Sequence, residues 1–121
     1  MSFIKEAPQI EILDDKVRVT LVSPYSYAES EATKFVDIPY MTSSDYRLLK
    51  GDENTKAGEV EMLMKLTGMS ERELDLLSPA DFAGCLGVVA GFFLEFKTVY
   101  QSYYARSTEL FLQRVQASLA K

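Results

Sequence analysis

Between Leu63 and Phe93 the chain carries one helix stop and two helix starts, and this punctuation constrains the fold more than any other stretch. Gly68 suits the left-handed residue that closes a helix. Ser70 follows as an N-cap, with Glu73 three residues on, where a capping box places its acid. Ser78-Pro79 repeats the start, because the serine hydroxyl caps and proline is tolerated at the first helical position. Asp81 then stands at the third helical residue, near the positive end of the helix dipole. These marks predict a helix over 55–67, a short one over 70–77 and a long one from 79. No proline lies beyond Pro79, so the long helix is expected to reach about Leu119. Gly84, Gly87 and Gly91 each lower its intrinsic stability by ~1 kcal/mol relative to alanine and leave room for a kink near Gly91.

Upstream, residues 1–8 read as a loose lead-in. Ile10-Glu11-Ile12 and Val17-Arg18-Val19-Thr20-Leu21 alternate apolar and polar residues, the pattern of half-buried strands, and Asp14-Asp15 between them suits a turn. Ser23 to Ala32 is polar and aperiodic and reads as an exposed loop, with a helical fragment over 27–34 as the alternative. Thr33 to Ile38 is a third strand, with Phe35 and Val36 supplying its apolar contacts, and it stops at Pro39. Thr42 and Asp45 announce a helix over 43–50. Val60, Leu63, Met64 and Leu66 give the helix over 55–67 one apolar face; Leu74, Leu77 and Met69 give the next its buried side. The expectation is one α+β domain, predominantly α: a small antiparallel β meander over 1–41, then a helical segment over 42–121.

Composition narrows the function. Histidine is absent, which removes the commonest general base and transition-metal ligand. No metal spacing or phosphate-cradling glycine loop replaces it, so neither catalysis nor a cofactor is expected. The lone Cys85 excludes an internal disulfide and lies on an apolar run, as a buried structural thiol would. The longest apolar run, Phe82 to Leu94, falls short of the ~20 residues a bilayer span needs. With no leader-like block at the N-terminus, a soluble cytoplasmic protein is predicted. The net charge of −5 is uneven. Residues 1–42 hold four basic and seven acidic side chains, residues 43–95 five and ten, and residues 96–121 four and one. An acidic body with a mildly basic tail is a poor nucleic-acid surface.

Two patterns in the long helix invite a partner. Gly84, Gly87 and Gly91, with Ala80, fall near one face, which allows close packing inside the chain or against another subunit. Phe92, Phe93, Phe96, Tyr100, Tyr103, Tyr104 and Phe111 are half of the chain's aromatic residues. Phe92, Phe96, Val99 and Tyr103 form one row; Phe93, Tyr100, Tyr104 and Phe111 spread into a second. A small core hides one row and leaves the other to a partner, since aromatics bury much area with few rotatable bonds. The tail from Arg106 to Leu119 is amphipathic and suits a helix-in-groove partner. Glu71, Glu73, Asp75 and Asp81 read as a solvated acidic face with capping roles.

Leu66-Thr67-Gly68-Met69-Ser70, Glu73-Leu74, Leu77, Asp81-Phe82 and Val89-Ala90-Gly91-Phe92-Phe93 together form an ordered string. It resembles the short tail assembly chaperones of Mu-type long-tailed phages. The resemblance covers about half of the chain; toward the N-terminus, Pro39 and Met41 stand where the family usually carries an arginine and a proline. It implies a non-catalytic factor, absent from the finished virion, that keeps the tape measure protein soluble while tail tube protein assembles around it. A homo-oligomer would hide the apolar surface when that client is absent. The nearest competing reading is a structural or tail-completion component of the particle. A helix-turn-helix regulator over Val60–Leu77 is disfavoured, because Glu71, Glu73 and Asp75 against one Arg72 would repel phosphate.

Overall fold

The computed structural model describes residues 6–27 and 31–120. The first five residues of the lead-in over 1–8 and residues 28–30 of the alternative helix over 27–34 therefore lie outside the described residues. Three strands, β1 (Gln9–Ile12), β2 (Lys16–Tyr25) and β3 (Thr33–Pro39), form an antiparallel sheet in the order β1-β2-β3. Four helices follow: α1 (Ser43–Arg47), α2 (Lys56–Thr67), α3 (Glu71–Leu74) and α4 (Pro79–Leu119). The fold is α+β, a meander followed by helices.

Strand alternation builds the core. The register sets Val17 opposite Ile38 and Val19 opposite Val36, so these four and Leu21 face one way. α4 crosses that face over β2 and β3, and α2 packs against both α4 and β3. Val19, Ile38, Met62, Leu63, Cys85 and Val89 have almost no solvent exposure. Burying a side chain of this size is worth about 1.5–3 kcal/mol. Met62 joins the core although it is off the expected face of α2, because that helix is covered from two directions.

The helix caps are realised, except that Glu73 does not close a capping box with Ser70. Thr42 and Asp45 form a complete capping box at α1. The hydroxyls of Ser70 and Ser78 accept the N–H groups of Glu73 and Asp81. Gly68 closes α2 at φ 76°, a conformation that glycine adopts without steric cost.

Elsewhere the structure corrects the sequence reading. β2 continues through Ser23 and Pro24 to Tyr25 instead of opening into a loop, with an irregularity between Thr20 and Tyr25. In β1, Ile10 is 50 % and Ile12 78 % exposed, so the edge strand's apolar side chains stay outside the core. Phe35 is on the outer face, where the Arg18 guanidinium covers its ring at 4.1 Å. Val36 and Ile38 point inward instead. α1 stops at Arg47, and α3 is a single turn, too short to serve as a recognition helix. Leu74, Leu77 and Met69 are buried as expected.

α4 runs 41 residues and passes Gly91 without interruption. At 1.5 Å per residue it is about 62 Å long. A compact chain of this size has a radius of gyration of only about 14 Å, so much of α4 must lie outside the globular body.

Candidate functional site

The root of α4 is fastened by polar side chains. The carboxylate of Asp81 is fully buried and accepts the backbone N–H of Val22 at 2.8 Å and of Ser23 at 3.0 Å. These two bonds explain how β2 holds its extended course where the local sequence reads as loop. The Tyr25 hydroxyl donates to Glu73 at 2.6 Å. Burial, and then the Glu73 carboxylate, raise the Tyr25 pKa well above the ordinary phenol value. Desolvation pushes the buried Cys85 thiol up to about 12, with Asp81 adding to the effect. The acidic group is thus no uniform solvated face: Asp81 and Glu73 are structural clasps, while Glu71 and Asp75 remain exposed. Glu73 also spends its carboxylate on Tyr25 rather than closing a capping box.

The small-residue face divides. A Cβ on Gly84 would meet Pro8 Cγ at 2.6 Å, so this glycine permits close packing within the chain. At Gly87 and Gly91 a Cβ would meet no described atom within 4 Å. Those two lie on the open side of the helix.

The aromatics divide too, but along the helix rather than into rows. Phe93 is 5 % exposed and belongs to the core, which removes it from the expected interface. Phe92 is half-buried against Tyr40, ring centroids 5.6 Å apart. From there outward Phe96, Tyr100, Tyr103, Tyr104 and Phe111 are all exposed, with Tyr103, Tyr104 and Phe111 near 60 %. The reason is geometric: the sheet, α1 and α2 give out at this level, and both rows emerge together.

At the point of emergence the rings form a ladder. Tyr46 of α1 stacks on Phe96 at 4.3 Å, Phe96 lies 6.3 Å from Tyr100, and Tyr100 lies 6.2 Å from Tyr104. Glu53 stands at its foot. Its Oε1 accepts the Tyr46 hydroxyl at 2.7 Å, a bond that raises the Tyr46 pKa, while Oε2 is shielded from solvent with no hydrogen-bond partner among the described residues. Lys97 is engaged with Asn54 at 2.8 Å. An open cleft of about 470 Å³ lies between Tyr46, Glu53, Phe96, Lys97, Tyr100 and Gln101. Neither Tyr46 nor Glu53 was marked by the sequence; their short helix and loop carry no aromatic or acidic pattern that points toward α4.

From Thr98 to Ala120 every described residue is exposed. Among them Leu110, Leu112, Val115 and Leu119 are each more than half exposed. The expectation that no stretch could span a bilayer is corrected on length. α4 includes an 18-residue window of mean hydropathy 1.6, because the helix continues the apolar run past Glu95. Core helices of soluble proteins reach such values as well, and Cys85, Val89 and Phe93 of α4 are buried against this chain's own sheet and helices. Among the described residues no three His, Cys, Asp or Glu side chains converge as a metal-binding set. The chain matches no known family model, no curated protein and no solved structure.

Proposed function

We propose that the protein is a non-catalytic assembly chaperone that holds an apolar helix of a larger client against the outer half of α4. The observation that carries this reading is the apolar stripe of α4, which leaves the core at Phe93 and continues exposed through Phe96, Tyr100 and Tyr103. An exposed apolar surface of this extent marks an interaction site. The resemblance of the Leu66–Phe93 string to phage tail assembly chaperones supplies the client: the tape measure protein of a long-tailed phage, handled in the bacterial cytoplasm alongside tail tube protein. A long, helical, aggregation-prone client is the kind of molecule that such a stripe suits.

Co-expression with a tape measure protein, followed by pull-down and light scattering, tests the reading. A soluble complex that forms only with this chain and is weakened by Phe96→Asp or Tyr103→Asp is expected. No complex, together with detection of the protein in finished particles, would replace the chaperone by a structural tail component.

A further inference from the structure

The outer half of α4 has a repeat that specifies its own complement. Phe96, Tyr100, Tyr103, Ser107, Leu110 and Arg114 follow one another at alternating spacings of four and three, so they line one seam of the helix. All six are exposed. The seam has two positions that interrupt its run of large side chains, the small Ser107 and the charged Arg114. Both find a partner in the seam itself when it is reversed. About a two-fold axis at Ala105, Ser107 meets Tyr103, Leu110 meets Tyr100 and Arg114 meets Phe96. Each pairing joins a bulky ring to a smaller or cationic side chain. A parallel arrangement would instead oppose Ser107 to Ser107 and Arg114 to Arg114, leaving a gap and a like-charge contact.

We infer that, in the absence of a client, two copies of this chain pair through antiparallel outer halves of α4. Arg114 of each then enters the cleft between Phe96, Tyr46 and Glu53 of the other. A guanidinium over the Phe96 ring gains cation–π attraction. It also supplies the charge-assisted donor that the shielded Oε2 of Glu53 lacks. Overall charge agrees, since the antiparallel arrangement lays the basic stretch beyond Glu95 over the acidic body of the second copy. Surface area agrees as well. The chain exposes 8796 Å², whereas a compact monomer of this mass exposes about 6,600 Å². The excess of about 2,200 Å² per chain is on the scale that obligate homodimers bury.

The inference uses the same face as the proposed function, but its test needs no client, so either can fail alone. Sedimentation equilibrium of the full chain at micromolar concentrations should give a dimer. Nitroxide labels introduced singly through Ala105→Cys and Gln116→Cys then report the geometry, with the fully buried Cys85 remaining unlabelled. Both positions lie on the side of α4 away from the seam, so a spin–spin distance of about 20 Å, the width of the helix pair, is expected at 105, and one of at least ~33 Å at 116, because position 116 lies eleven residues from the axis on each copy. Arg114→Glu should weaken the dimer at least tenfold without changing the far-UV spectrum of the body, and Arg114→Lys should retain part of the affinity. A monomer throughout, equal distances at both positions, or a dimer indifferent to Arg114→Glu would each overturn the inference. So would a monomer that floats with phosphatidylcholine–phosphatidylglycerol vesicles, which would assign the seam to a bilayer.

Discussion

Asp81 satisfies two backbone N–H groups of β2 from inside a core that water does not reach. Bonds to a charged acceptor contribute about 1.5–3 kcal/mol each, and orphaned buried donors add a desolvation cost. Asp81→Ala is therefore expected to lower stability by about 3 kcal/mol or more in urea titrations, and Asp81→Asn, which keeps an acceptor, by less. Two other carboxylates make stability depend on pH. The Arg18 guanidinium bonds both oxygens of Asp37 and holds its pKa below the ordinary 3.8. The backbone N–H groups of Lys50 and Gly51 hold Glu61 below the ordinary 4.5. A carboxyl with a depressed folded value takes up its proton more readily in the unfolded chain. Its contribution is thus complete above the unfolded value and is lost as pH falls through the folded one. Urea midpoints should accordingly be level above about pH 5.5 and drop below about pH 4.5, and Arg18→Met should flatten the part due to Asp37.

At the scale of the element, α4 serves as a core helix over its first turns and as an exposed one over the rest, and its three glycines respond differently. Gly87→Ala and Gly91→Ala should each stabilise the protein by up to about 1 kcal/mol, through helix propensity with no steric conflict. Gly84→Ala should destabilise it by about 1–3 kcal/mol as the new methyl group meets Pro8. Thermal melts of the three variants would separate the face that packs from the face that does not. Most element starts were legible in the sequence, because Thr42, Ser70, Ser78 and Gly68 act on backbone within a few residues of themselves. The course of β2 past Ser23 was not legible, since Asp81 imposes it from 58 residues away. The exposed Ile10 and Ile12 were missed for a related reason: alternation says which side chains share a face, not how far a helix covers it. In the candidate site the aromatic cluster could be seen in advance. The boundary at Phe93 could not, because it depends on where the sheet ends, and the Tyr46–Phe96 stack depends on where α1 docks.

For the whole molecule, this division means that folding draws on the first part of α4 and the proposed association on the rest. A chain ending at Lys97 should keep the melting temperature of the full monomer within a few degrees, because the side chains beyond it are exposed. It should also lose the ability to associate; differential scanning fluorimetry beside light scattering checks both. The division has a mechanical side as well. α4 is a beam whose embedded part, Pro79 to Phe93, is about 22 Å long and whose overhang, Leu94 to Leu119, is about 39 Å. With a fulcrum near Phe93, a sideways load at the tip is delivered to the buried end with nearly twofold leverage. The Asp81 clasp sits at that buried end, where a tilting beam lifts first. A heavy cargo tugging on the tip would therefore strain the strand end at Val22 and Ser23, at the opposite pole of the molecule from the point of grip.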